Sequence, residues 1–275
     1  MNPRGWPARV AVMIVLASFL GVYVGQPGGT QFLEVLSNCL YGAAAILAAV
    51  LLLMASARFE RGFTQRRVWF ILGAGMSMWA IAEFVWAYFQ IGLGEKVPYP
   101  SLADVIWTIG FAPLILGLFL GHRSLGVRLS KRQRILTVVV YSLLLAALAV
   151  GLLAPMYLGL PTSAWAEAVV GVGYLVGDLT LAFVAALSLA VLWDGLVGRP
   201  WLPIAIGLLL FAISDTIFAY AAWKEVYAVG GNLLSGAIDV AYLAAYLSIA
   251  LGAYRQVTLR LADVAAPAGA PATRG

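Results

Sequence analysis

Histidine and cysteine each occur once in the 275 residues, as His122 and Cys39. A single histidine excludes an axial pair for haem and the usual zinc ligand sets. A single cysteine excludes an internal disulfide. No cofactor is expected. Charge is scarce too: only 11% of residues are charged, against about a quarter in a soluble domain. So little polar surface cannot coat a water-facing globule. Neither a Gly-x-Ser-x-Gly nucleophile elbow nor a phosphate-binding P-loop occurs, and no catalytic residue is assigned. The last apolar run holds no lysine, so a retinal Schiff base of the rhodopsin kind is not expected.

Apolar residues make up 63% of the chain. A helix needs about 20 of them in sequence to cross roughly 30 Å of hydrocarbon. Eight runs qualify, at about 8–24, 33–56, 68–91, 103–121, 134–154, 165–192, 200–222 and 231–254. They do not alternate apolar and polar positions as barrel strands would. The expected fold is an all-α, polytopic helical bundle forming one transmembrane domain over 1–260. A disordered cytoplasmic tail, rich in Ala, Pro and Gly, is expected over 261–275. Arg4 and Arg9 before a short apolar run would also suit a signal peptide, but no small-x-small cleavage site follows at Val24-Gly25-Gln26-Pro27. Span 1 is therefore read as retained.

The net charge of +5 comes from topology, not from nucleic-acid binding. If the spans alternate, all of the 17 Lys and Arg residues except Lys96 and Lys224 fall on the side of the two termini. The positive-inside rule then places both termini in the cytoplasm, in the inner membrane of a bacterium. A missed span would have scrambled this asymmetry.

The chain also resembles itself. Glu83, Trp86, Ala87 and Tyr88 in span 3 recur in order as Asp215, Phe218, Ala219 and Tyr220 in span 7, at an offset of 132. Asp104-Val105, Trp107, Phe111, Leu116 and Gly117 in span 4 recur as Asp239-Val240, Tyr242, Tyr246, Leu251 and Gly252 in span 8, at an offset of 135. The expectation is two parallel four-span repeats, about 8–121 and 134–254, related by an axis along the membrane normal.

Glu83, Asp104, Asp178, Asp215 and Asp239 lie within spans whose apolar interiors hold no Lys or Arg. A charged carboxylate at mid-bilayer costs about 2.5–3.5 kcal/mol on insertion scales, so such residues face the bundle interior. Helical spacing puts Trp79 and Trp86 on the face of Glu83, Trp107 with Asp104, Tyr174 with Asp178, and Tyr242 and Tyr246 with Asp239. Converging faces of this kind would make an outward-facing acidic and aromatic pocket. A pocket with those walls suits a cationic small molecule, and neighbouring carboxylates can share a proton. The plainer alternative is that the acids bond across helices as packing glue and the aromatics are interfacial belt residues.

The run Pro98-Tyr99-Pro100-Ser101-Leu102-Ala103-Asp104-Val105-Ile106-Trp107, with Phe111 and Pro113 beyond it, resembles the multi-span sensory region that precedes diguanylate cyclase (GGDEF) and phosphodiesterase (EAL) domains in bacteria. Tyr227-Ala228-Val229-Gly230-Gly231 and Ile238-Asp239-Val240-Ala241-Tyr242 are similar to the last stretch of that region. The resemblance implies an input module that passes helix movement inward. No output domain follows span 8, so it further implies a cytoplasmic signalling protein as partner. A weaker similarity, through Phe211-Ala212-Ile213-Ser214-Asp215, is to eight-span lysoplasmalogenase-type hydrolases, and would make Glu83 and Asp215 a general acid and base. A third reading is a small transporter coupled to protons or cations.

Overall fold

A computed structural model describes residues 6–95, 97–124, 130–159, 161, 164–192 and 198–259, which form helices and short connections without a strand. The expected tail over 261–275 lies outside the described residues. Eight helices are long and apolar enough to cross a membrane. They are α1 Trp6–Gly25, α2 Gly29–Ala57, α3 Thr64–Leu93, α4 Leu102–Ser124, α5 Lys131–Tyr157, α6 Trp165–Leu192, α7 Gly198–Trp223 and α8 Leu233–Thr258. The protein is a multi-pass, all-α membrane protein. Every Lys and Arg within these helices lies at the end nearer the termini.

The ends of the helices are set by local chemistry. The Ser130 hydroxyl accepts the Gln133 N–H while the Gln133 amide accepts the Ser130 N–H, a capping box that starts α5 at the interface. Asn232 caps α8 by accepting the Ser235 N–H at 2.9 Å, two residues later than the apolar run begins. The last turns of α3, over Tyr88–Leu93, are π-helical.

Six helices close a ring. α2 packs on α3, α3 on α4, α4 on α6, α6 on α7, α7 on α8, and α8 returns to α2. α1 lies outside against α8, and α5 outside against α6. These two outer helices are the least buried of the eight. Without a hydrophobic force between helices in lipid, close approach depends on small residues. A Cβ on Gly207 would fall 2.6 Å from the Ala245 carbonyl oxygen, and one on Gly252 2.5 Å from that of Pro200. α7 and α8 therefore meet backbone to backbone.

Contacts recur at the offsets seen in the sequence. Gly75 on α3 faces Leu114 on α4, and 132 and 135 positions later Gly207 faces Ile249. Gly117 faces Leu72, and Gly252 faces Ile204. The Trp79 and Phe111 rings meet edge to face at 5.4 Å, and the Phe211 and Tyr246 rings do so at 4.6 Å. Residues 132 apart also touch each other across the ring: Trp69 meets Trp201 at 5.0 Å, and Trp79 meets Phe211 at 4.9 Å.

Candidate functional site

All five intramembrane acids turn inward, into or beside the ring. Glu83, Asp104, Asp178 and Asp239 expose at most 9% of their surface, and Asp215 is half-buried. A carboxylate in such a place needs donors, and tyrosine supplies them.

Tyr246 on α8 donates to Glu83 Oε1 on α3 at 2.6 Å, spanning the interior of the ring. Tyr242, one turn earlier on α8, donates to Asp215 Oδ1 on α7. Tyr174 on α6 donates to Asp104 Oδ1 on α4 at 3.0 Å. Tyr227, in the connection before α8, donates to Asp239 Oδ1 at 2.7 Å. Four acids thus each have a tyrosine hydroxyl, and three of the bonds join different helices.

Asp178 differs. Its carboxyl lies within hydrogen-bonding reach of the Asp215 carboxyl, and its Oδ1 has no donor among the described residues. Two carboxyls that close can share one proton.

Asp104 has a second role that its spacing reveals. Its Oδ2 accepts both the backbone N–H and the hydroxyl of Ser101, each at 2.6 Å. Ser101 and Asp104 are the ends of an S-x-x-D capping box at the start of α4. The Ser-Leu-Ala-Asp run therefore begins a helix as well as lining the ring.

Aromatic rings fill the space between the acids. Trp79 donates its indole N–H to the Trp107 carbonyl at 3.1 Å. Trp107 lies against Trp86 with ring centres 5.7 Å apart. Trp86 donates to the Gln90 side chain at 2.9 Å rather than to an acid. All the predicted aromatic residues except Trp86 thus sit in or next to the acid cluster.

Tyr227 was not anticipated, and neither were four further tyrosines near the acids. The Tyr41 hydroxyl donates to the backbone carbonyl of Asp239 at 3.1 Å. Tyr23 stands beside the Asp239 carboxyl, and its hydroxyl accepts the Gly230 N–H at 2.9 Å. Tyr99 and Tyr157 share a hydrogen bond at 3.3 Å, with Asp104 near both. A signal for them exists. Glu34 and Tyr41 recur 133 positions later as Glu167 and Tyr174, and Tyr23 recurs as Tyr157 after 134.

Two connections on the face away from the termini cover this layer. Gly230 adopts φ 68°, which a residue with a Cβ rarely does, and its carbonyl accepts the Gln26 side chain at 2.6 Å. Burial, and then the charge of Asp239, push the Tyr227 hydroxyl above the ordinary tyrosine range. Burial and the bond to Tyr157 do the same for Tyr99. Both therefore stay neutral.

Two recesses among the described residues lie away from the acids: one runs along Ile81, Phe84 and Tyr88, and another lies beside Arg61, Arg66 and Phe70. Among the described residues, no group of three or more His, Cys, Asp or Glu could hold a metal ion. Comparisons with family models, curated proteins and solved structures return no significant match to this chain.

Proposed function

We propose that the protein is a membrane-embedded ligand-binding module of the sensor kind, receiving a small cation or a proton at the acid–tyrosine layer and passing the change to a cytoplasmic partner. The observation that carries this reading is that each of four inward-facing acids is held by a tyrosine from another segment, with no salt bridge to any of them among the described residues. Structural glue needs one polar pair per helix contact. Here acidic groups are concentrated in one layer. Binding there would alter the bonds joining α3, α7 and α8, and all three helices run to the arginine-rich side. Positive-inside topology makes that side the cytoplasm of a bacterial cell.

Two copies of a four-helix unit are part of the proposal. The recurring glycine and aromatic contacts support it, as do the Trp69–Trp201 and Trp79–Phe211 meetings at the centre of the ring. Equivalent residues touch each other where a twofold axis passes between them.

The Asp178–Asp215 pair favours a second reading, a proton-coupled transporter. The test is a thermal-shift screen of the purified full-length protein against amines, monovalent cations and pH. The sensor reading predicts stabilisation by at least one compound in the wild type and its loss when an acid of the layer is neutralised, as in Asp239→Asn or Asp215→Asn. A flat response across the whole screen contradicts it. Acid-dependent flux in reconstituted vesicles would favour the transporter.

A further inference from the structure

Asp104 and Asp239 occupy corresponding places near the starts of α4 and α8, and tyrosines from corresponding segments surround each. Tyr174 donates to Asp104, and the hydrogen-bonded Tyr99 and Tyr157 lie close enough to feel its charge. Tyr41, Tyr227 and Tyr23 stand around Asp239. Their remaining oxygens differ. Asp104 Oδ2 is closed off by two donors from Ser101. At the offset of 135, the residue in place of Ser101 is Gly236, which has no hydroxyl to offer. Asp239 Oδ2 makes no close hydrogen bond among the described residues, although Asp239 is only 2% exposed and the Tyr23 and Tyr41 hydroxyls stand beside its carboxyl.

A buried acceptor without a partner costs about 1–3 kcal/mol, and more when charged. The matched position, Asp104, avoids that cost with one serine. Nor does a serine fit at Gly236 without rearrangement, because a Cβ there would lie 2.8 Å from the Tyr23 ring. The space beside Asp239 is walled by rings instead. Phe218 packs on Tyr227 at 4.9 Å, Tyr41 on Tyr242 at 6.4 Å, and Phe19 on both Tyr23 and Tyr41 at just over 6 Å. A carboxylate oxygen lacking a close donor, among aromatic walls, calls for a cation that carries N–H.

We propose that Asp239, with Tyr23, Tyr41 and Tyr227, is the binding site for an ammonium or primary alkylammonium ion, and that Asp104 is its closed copy. The proposal rests on the ligand-binding reading above and names the ligand class for it. The ion reaches Asp239 by loosening the connection between α7 and α8. That connection is held by Gln26 on the Gly230 carbonyl, Tyr23 on the Gly230 N–H, and Ser235 on the Ala228 N–H at 3.0 Å.

The test compares the full-length wild type with Asp239→Asn and Asp104→Asn in detergent. Ammonium, methylammonium and tetramethylammonium chlorides are added at equal ionic strength. At a hundredfold excess over Kd, the first two ions are expected to raise the melting temperature of the wild type and Asp104→Asn by about 5 °C. Asp239→Asn is expected not to respond. Tetramethylammonium, which has no N–H, is expected to leave all three proteins unchanged. Equal shifts in Asp239→Asn, or with tetramethylammonium, overturn the proposal. So does no shift with either N–H donor, an outcome that assigns the oxygen to a proton or a buried water. If other compounds in the broader screen still stabilise the wild type, the ligand-binding reading survives the failure of this one. Should Asp239→Asn not fold, the carboxylate stretching band of the wild type in the infrared is the second measurement. It is expected to move with ammonium and not with tetramethylammonium, and an unmoved band overturns the proposal.

Discussion

The Tyr246 hydroxyl reaches the Glu83 carboxylate at 2.6 Å across 163 positions of sequence and from one side of the six-helix ring to the other. Four residues earlier on the same face of α8, Tyr242 reaches Asp215. One helix face thus serves acids on two other helices, α3 and α7. A shift of α8 by one turn would break both bonds together, which gives a ligand near Asp239 on that same helix a mechanical route inward.

The Asp178–Asp215 pair leads to a prediction about proton coupling. Asp178→Asn offers an amide N–H to the Asp215 carboxyl, so the link between the two helices is kept while one carboxyl that can carry a proton is lost. Stability, read by thermal unfolding, is expected to change by less than about 1 kcal/mol. Any proton-dependent flux in vesicles is expected to disappear. A variant that keeps such flux would remove the pair from the proton path.

Close packing of α7 on α8 makes Gly207 and Gly252 intolerant. Gly207→Ala and Gly252→Ala are each expected to cost at least about 1–3 kcal/mol, because the obstructing atoms are backbone oxygens that cannot swing away. Gly42→Ala on α2, with nothing within 4 Å of the added methyl, is expected to be neutral or stabilising by up to about 1 kcal/mol. Denaturation midpoints of the three purified variants check the order.

Ser101 performs two tasks, capping α4 and closing Asp104, whereas Ser130 only caps α5. Ser130→Ala is expected to cost about 0.5–2 kcal/mol, the usual price of a lost cap. Ser101→Ala is expected to cost more, since it also strips a buried carboxylate of a hydroxyl donor. Equal losses in the two variants would show that Asp104 does not depend on the Ser101 side chain.

Much of the fold was legible because the bilayer makes strict demands. Backbone groups must be satisfied within helices, so eight apolar runs become eight helices, and their ends agree with the apolar limits to within about four residues. The inward turn of Glu83, Asp178 and Asp239 was legible from the cost of a charge in lipid. Their partners were harder to find. Tyr227 and Tyr99 lie in connections, where helical periodicity carries no information, and Tyr41 reaches the backbone of Asp239 from another helix. Asp104 as a capping residue was readable from Ser101 three positions earlier, but its place at a helix start was overshadowed by its apolar surroundings. The Trp86 indole bonds to Gln90, four residues on and inside the π-helical turn that begins at Tyr88, a turn the apolar pattern does not specify.

Topology gives a prediction independent of the site. In a Cys39→Ala background, a single cysteine placed at Arg61 is expected to react with a membrane-impermeant thiol reagent only from the cytoplasmic side. One placed at Glu225 is expected to react only from outside. Labelling of both from one side of intact cells would contradict the eight-span alternation.

The most direct test of the central claim, that tyrosines hold the acids of both halves inside one ring, is a double-mutant cycle on Glu83 and Tyr246. Unfolding free energies are measured for the wild type, Glu83→Met, Tyr246→Phe and the double variant. The account predicts a favourable coupling of about 1 kcal/mol, within the range known for hydrogen bonds between membrane helices. Additivity to within about 0.3–0.5 kcal/mol, as found for residues that do not meet, would contradict it.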